Sequence, residues 1–209
     1  IRNKYFSQNK VMPIAFATGI DPALYVASCD HAVSWGVSEY DYTGGVKGEP
    51  IEVIKGPLTG LPLPAHAEFV IEGECHPGDV IDEGPFGEWM GYYANLGEES
   101  VLEPVIRVKA IYHRNNPIIL AAPPIKPPDG LSIYSALIRS ILVEDELTSI
   151  GIPDVKGVWA QEPGGARFFI VVAIKQRYPG HAKQAAMAAA FCRSSAYLSR
   201  YIVVVDDDV

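Results

Sequence analysis

Pro123-Pro124-Ile125-Lys126-Pro127-Pro128 divides the chain into two regions of different character. Proline fixes φ and removes a backbone donor, so this run can be neither helix nor central strand, and it reads as a stiff connector. Upstream of it the pattern is one of short strands between Gly/Pro turns. Val11 to Gly19 reads as a buried strand bounded by glycine. Asp21-Pro22 supplies an N-cap and a first-position proline for a helix reaching about Cys29. Ser38, with Glu39 beside it, caps a second helical turn that Gly44-Gly45 is expected to end. Ile51–Ile54, Ala67–Ile71, Val105–Tyr112 and Pro117–Ala122 carry the β-branched and aromatic residues of strands. Together they predict a β-barrel over roughly the first 122 residues.

Downstream of the connector the period changes. Leu131, Tyr134, Leu137, Ile138, Ile141 and Leu142 follow helical spacing, and Leu137, Ile138 and Ile141 are expected in the core. Strands at Val155–Gln161 and Arg167–Ile174, an Ala-rich helix at His181–Cys192 and a strand at Ile202–Val205 complete an α/β region. The expected class is α+β, with a β-barrel followed by a smaller α/β region. No internal repeat interrupts it.

Composition narrows the function classes. Of 209 residues, 48% are hydrophobic and 20% charged, ordinary values for a folded domain. A formal net charge of -8 without a basic stripe argues against a nucleic-acid backbone as partner. Cys29, Cys75 and Cys192 are odd in number and have no Cys-x-x-Cys spacing. That usage fits reduced thiols in a cytoplasmic protein, not a disulfide framework or a zinc site. No apolar run reaches the roughly 18 residues of a membrane span, so no membrane insertion is expected.

The stretch richest in chemistry is Glu83-Gly84-Pro85-Phe86-Gly87-Glu88-Trp89-Met90-Gly91-Tyr92-Tyr93. Gly-Pro and the second Gly place its two carboxylates on a shaped loop. Trp89, Met90, Tyr92 and Tyr93 offer that loop an apolar wall. A carboxylate against such a wall and near a second carboxylate has its charged form disfavoured, the condition for a general acid at neutral pH. The plainer reading is a turn between strands with two solvated glutamates.

Asp82 to Glu88, followed by Gly91-Tyr92-Tyr93, resembles the signature of the UbiD-like decarboxylases, which use prenylated FMN. Gly36-Val37-Ser38-Glu39, Gly48-Glu49-Pro50, Pro64 to Gly73, His113 to Ile118 and Val203 to Asp208 resemble the family in order and spacing. The resemblance spans nearly the whole chain. It implies a split β-barrel of the flavin-binding type in residues 1–124, carrying the Glu83/Glu88 loop, and the start of a C-terminal α/β domain in 125–209. It implies reversible, non-oxidative decarboxylation of an aromatic or α,β-unsaturated carboxylic acid, with Glu88 as acid/base and Glu83 as its partner. Glu39 matches a ligand of a divalent ion, Mn2+ or Mg2+, that bridges protein and flavin phosphate; by spacing alone it belongs to a helix cap. Ser28, Cys29 and His31 match a region that holds K+ through backbone carbonyls. A lysine that contacts the flavin phosphate in some relatives falls here on Ser194. Arg193 either substitutes for it or sits as a surface cation at a helix end.

The resemblance also implies a homo-oligomer and a flavin prenyltransferase as supplier of the cofactor. The arginine of the family's catalytic network and a His metal ligand match sequence before Ile1. The chain is accordingly expected to be an internal piece of a longer protein, neither holding prenylated FMN tightly nor decarboxylating by itself. Residues around Leu131 to Ser135 correspond to a pocket wall. His66, His76, His113 and His181 lack metal spacing and read as structural or local. Two other classes compete with the enzyme reading: a non-catalytic paralogue supplying barrel and oligomer contacts, and a plain FMN-binding split-barrel module.

Overall fold

The computed structural model describes residues 1–29, 33–84, 101–121 and 126–208. Their described parts form two compact units, 1–26 with 38–124 and 27–37 with 125–209. The molecule is mixed α+β with several small sheets.

The first unit holds α1 (Arg2–Phe6), β1 (Met12–Thr18), the start of α2 (Pro22–Cys29), α3 (Glu39–Lys47), β2 (Val53–Lys55), β3 (Pro62–Pro64), β4 (Phe69–Cys75), β5 (Val80–Glu83), β6 (Val101–Pro104) and β7 (Arg107–His113). Asp21 caps α2 as the sequence predicts, its Oδ1 accepting from the N–H of Ala23 at 2.8 Å. Ser38 caps α3 by accepting from the Tyr40 N–H at 3.2 Å. That helix does not stop at Gly44-Gly45. It runs to Gly48, whose φ of 74° turns the chain left-handed, a conformation glycine adopts without steric cost.

Strands β1, β4 and β7 form one antiparallel sheet in that order, while β2–β3 and β5–β6 are separate two-stranded ladders. No barrel closes among the described residues. As an edge strand, β1 is half-buried and not buried; Phe16 is 55% exposed. Pro117 to Ala121 is irregular, not a strand, and Ala122 lies outside the described residues. The Ile118 N–H donates to Glu68 Oε2 at 3.1 Å, a side chain in place of a ladder partner.

Period-two alternation gives the three-stranded sheet two faces. One carries Ala15, Ala17, Val70 and Tyr112 onto a small core with Leu63, Ala67 and Ile20. On the other, Phe16, Ile71 and Ile111 lie in one cross-strand row, and Phe16 and Ile111 are exposed. Glu72 sits on the core side and is fully buried. Its carboxylate accepts from the N–H of Thr59 at 2.8 Å and of Leu58 at 3.3 Å, from the Thr59 hydroxyl, and from the Tyr112 hydroxyl at 2.9 Å. Burial pushes its pKa upward, but these donors together outweigh that and hold it below the ordinary value. The β2–β3 turn is thus fastened to the sheet by one side chain. A Cβ at Gly56 would run into that carboxylate.

The second unit contains α4 (Gly130–Ser149), β8 (Val155–Ala160), β9 (Phe169–Ile174), α5 (His181–Phe191), α6 (Arg193–Ala196) and β10 (Tyr201–Asp206). Its sheet runs β10-β9-β8, with β10 parallel and β8 antiparallel to β9. Ile170, Val172 and Ile174 face a core completed by Val143 and Leu147 of α4 and Ala185 and Ala189 of α5. A reciprocal capping box starts α4: the Ser132 N–H donates to Asp129 Oδ1 at 2.6 Å, and the Asp129 N–H to Ser132 Oγ at 2.9 Å.

The inward stripe of α4 is Ser132, Ser135, Ala136, Arg139, Ser140, Val143 and Leu147. Leu137 and Ile141, expected in the core, are 53% and 52% exposed. The small residues explain the reversal, because they let the helix approach the sheet closely. Ser140 Oγ accepts from the Ala160 N–H of β8 at 2.9 Å and donates to the Ala136 carbonyl at 2.5 Å. His181 is buried, its Nδ1 accepting from the Arg177 N–H at 3.3 Å, which fits the local role its place suggests. Among the described residues, no helix is long and apolar enough to cross a membrane.

Candidate active site

The ladder β5–β6 pairs Glu83 with Val101, so the segment between them connects two antiparallel neighbours. Glu83 ends β5 and is exposed. Glu88 and the apolar residues Trp89, Met90, Tyr92 and Tyr93 lie outside the described residues, as does His31. The turn before this hairpin is braced by Asp79, whose carboxylate accepts from Arg107 Nε and Nη2, each at 2.6 Å. This forked pair is held by geometry as well as charge.

Glu39 is the first residue of α3 and is exposed. Capping at that end is done by Ser38, which leaves the Glu39 carboxylate with no hydrogen bond or ion pair among the described residues. A hard divalent ion takes about six oxygen or nitrogen ligands. No group of three His, Cys, Asp or Glu that could hold a metal occurs among the described residues, so Glu39 does not form a metal site with them. Ser28 and Cys29 occupy the last turn of α2 and are exposed.

Arg193 opens α6, and its Nη1 donates to Ser34 Oγ at 2.9 Å. Guanidinium and hydroxyl together form a donor pair of the kind that holds phosphate oxygens. Ser34 escaped the sequence reading because the residues are far apart in the chain and neither belongs to a motif. Ser194 is buried and fixed from three directions. Its N–H and hydroxyl donate to Glu146 Oε1 at 3.2 Å and 2.5 Å, and its carbonyl accepts from Arg139 Nη1 at 3.0 Å. Arg139 and Glu146 were also missed. A charged residue at position 139 within the stripe 132/135/136/139/140/143 was the available signal. The neighbouring Cys192 thiol is pushed up in pKa by burial, which keeps it protonated and unreactive.

The histidines behave as expected of surface or structural groups: His66 pairs with Glu52 at 2.5 Å, and His113 is exposed. The first unit also has a cleft of about 660 Å³, lined by Ile20, Leu24, Ile51 and Pro64 together with the ion pair Lys47–Asp21 and with His66. None of the candidate residues lines it.

Residues 1–127 match the family model of the 3-octaprenyl-4-hydroxybenzoate carboxy-lyase Rift-related domain, and residues 133–209 match that of its C-terminal domain. The chain belongs to the UbiD family. Among solved UbiD-class structures, it is similar to an evolved dimeric form of HmfF from Pelotomaculum thermopropionicum in complex with prFMN. That likeness has 31% identity and a TM-score of 0.82, over 99% of this chain and 46% of the other. It is also similar to the vanillic acid decarboxylase of Sedimentibacter hydroxybenzoicus in open form (29%, TM-score 0.80, 98% and 43%). A third is the apo 3,4-dihydroxybenzoic acid decarboxylase of Klebsiella pneumoniae (28%, TM-score 0.76, 100% and 43%). The chain spans less than half the length of each.

Proposed function

We propose that this chain carries the acid/base loop of a prenylated-FMN-dependent carboxy-lyase. The enzyme removes carbon dioxide, reversibly and without oxidation, from an aromatic or α,β-unsaturated carboxylic acid. The observation that carries the reading is the joint match of both halves to the UbiD domain models, alongside 31% identity to a prFMN-bound enzyme over 99% of the chain.

When bound, the modified flavin supplies an electron sink for the pair left behind by departing carbon dioxide. Glu88 in its protonated form delivers a proton to the vacated carbon, and in the reverse direction removes it. Glu83, five positions earlier at the end of β5, is the carboxylate partner that biases Glu88 toward holding its proton. Arg193 with Ser34 would hold the flavin phosphate, Glu39 would supply one oxygen ligand to Mn2+ or Mg2+, and the segment from Ser28 through Cys29 to His31 would offer carbonyls to K+.

The architecture belongs to the same proposal. Residues 1–124 are part of a flavin-binding split barrel, and 125–209 begin a C-terminal α/β domain. Exposed apolar rows on the first unit's sheet favour a homo-oligomer, and three cysteines without Cys-x-x-Cys spacing favour the cytoplasm.

Another HmfF structure holds unmodified FMN, so flavin occupancy alone does not separate an enzyme from a plain FMN module. The experiment is therefore co-expression of the full-length protein with and without a flavin prenyltransferase, followed by assay of carbon dioxide release from hydroxybenzoate-like and cinnamate-like acids. Turnover confined to the co-expressed sample is the expected result. FMN binding with no turnover in either sample would return the protein to the class of binding modules.

A further inference from the structure

Between α5 and α6 the chain turns a corner, and Arg193 stands on it. An arginine side chain is long and loses much rotamer freedom when it is held, so its anion affinity depends on where its backbone is fixed. Here the fixing is done one residue further on. Ser194 donates its N–H and its hydroxyl to Glu146, and its carbonyl accepts from Arg139 Nη1. Both partners project from α4, and Arg139 is 1% exposed. The corner is thereby bolted to the longest helix of the second unit at three points. The Arg193 head group, exposed, spends one N–H on Ser34 Oγ. Among the described residues this is its one hydrogen bond, and a guanidinium has five N–H donors.

We infer that Arg139 and Glu146 are positioning residues that hold the Arg193–Ser34 pair ready for a phosphate monoester. The inference rests on the proposed reading of Arg193 as a ligand of the flavin phosphate. It adds that the affinity of that group is set from α4, through Ser194, by two side chains that never touch the ligand.

The test uses the full-length protein, titrated with FMN and with riboflavin, which lacks the phosphate, while flavin fluorescence is followed. Glu146→Ala should weaken FMN binding about tenfold, the worth of one displaced charge-assisted hydrogen bond, and leave riboflavin binding unchanged. Glu146→Gln should restore FMN binding, because the amide oxygen still accepts from the Ser194 N–H and hydroxyl. In an Arg193→Ala background, Glu146→Ala should add no further loss. Ser194→Ala, a milder change that keeps the backbone bonds, should give a smaller loss of the same FMN-selective kind, and it serves if Glu146→Ala does not fold.

Equal losses for FMN and riboflavin would overturn the inference, as would a fall in melting temperature with FMN affinity intact. Additive losses in the Arg193→Ala background would overturn it too. If wild type does not favour FMN over riboflavin, or Arg193→Ala costs nothing, the reading of Arg193 itself fails and the inference falls with it. Tenfold loss at Arg193 without coupling to Glu146 removes only the positioning role.

Discussion

The two units of this molecule hold their loops in place with the same device, a carboxylate collecting several donors, but set it in very different surroundings. In the first unit the described core cluster is Leu63, Ala67 and Val70, and Glu72 stands among these few residues. In the second, Ile170, Val172, Ile174, Val143, Leu147 and further buried residues form a broad core, and Glu146 acts at its edge. The lesson is that in the first unit one ionised group makes up much of a small described core, whereas the second sets its charged groups, Arg139 and Glu146, against a broad apolar core and uses them to hold one corner.

The largest expected effect breaks the second unit. Arg139→Met leaves the Ser194 carbonyl without its donor in a buried setting and should cost about 3 kcal/mol of stability, the upper end for an unsatisfied buried polar group. Urea denaturation measures it, and a loss below about 1 kcal/mol would mean that the corner is held by packing alone.

Glu72→Gln comes next, at about 2 kcal/mol, because an amide nitrogen would face donors that have no other acceptor among the described residues. The pH dependence sharpens the contrast between the units. The folded pKa of Glu72 lies below its ordinary value of 4.5, so its contribution is fully present above that value and is lost as pH falls through the depressed one. Melting curves between neutral and strongly acidic pH should show the wild type losing stability on acidification and Glu72→Gln losing less. Parallel curves for the two would contradict the account.

The smallest effect is expected at Asp154→Asn. Hydrogen bonds from Arg177 and then Lys156 hold the Asp154 carboxyl well below the ordinary carboxylate range. The pair Arg177–Asp154 is solvent-accessible, so its contribution is screened. Its stabilisation is present at neutral pH and disappears as pH falls through the lowered value. A slight melting shift erased by added salt is the expected outcome, and a large salt-independent shift would show that the pair is structural.

Much of this organisation was legible in the sequence because it rests on local chemistry. Asp21-Pro22 and Ser38 announced two helix starts, and the Pro-rich run announced the change from short strands to α/β alternation. What stayed hidden depends on which neighbour arrives. Leu137 and Ile141 carry helical spacing, yet a second stripe on the same helix, built of serines, alanine and Arg139, is the one that packs inward. Periodicity shows that a helix has faces and not which of them a partner will select. Pro117 to Ala121 has strand composition, but Glu68, distant in sequence, takes the Ile118 N–H. Of the candidate residues, Glu83, Glu39 and Arg193 were reached through motif order, while Ser34, Arg139 and Glu146 became visible only once folding brought them to positions 193 and 194.

The central claim is that Glu88 supplies the proton. Its direct test is single-turnover decarboxylation by the full-length, cofactor-loaded protein in deuterated water, wild type against Glu88→Gln. The account predicts one deuterium at the vacated carbon in the wild-type product. In the variant it predicts a loss of turnover of at least about a hundredfold, the scale of a positioned general acid, with the flavin spectrum unchanged. Wild-type turnover and labelling in Glu88→Gln would contradict it.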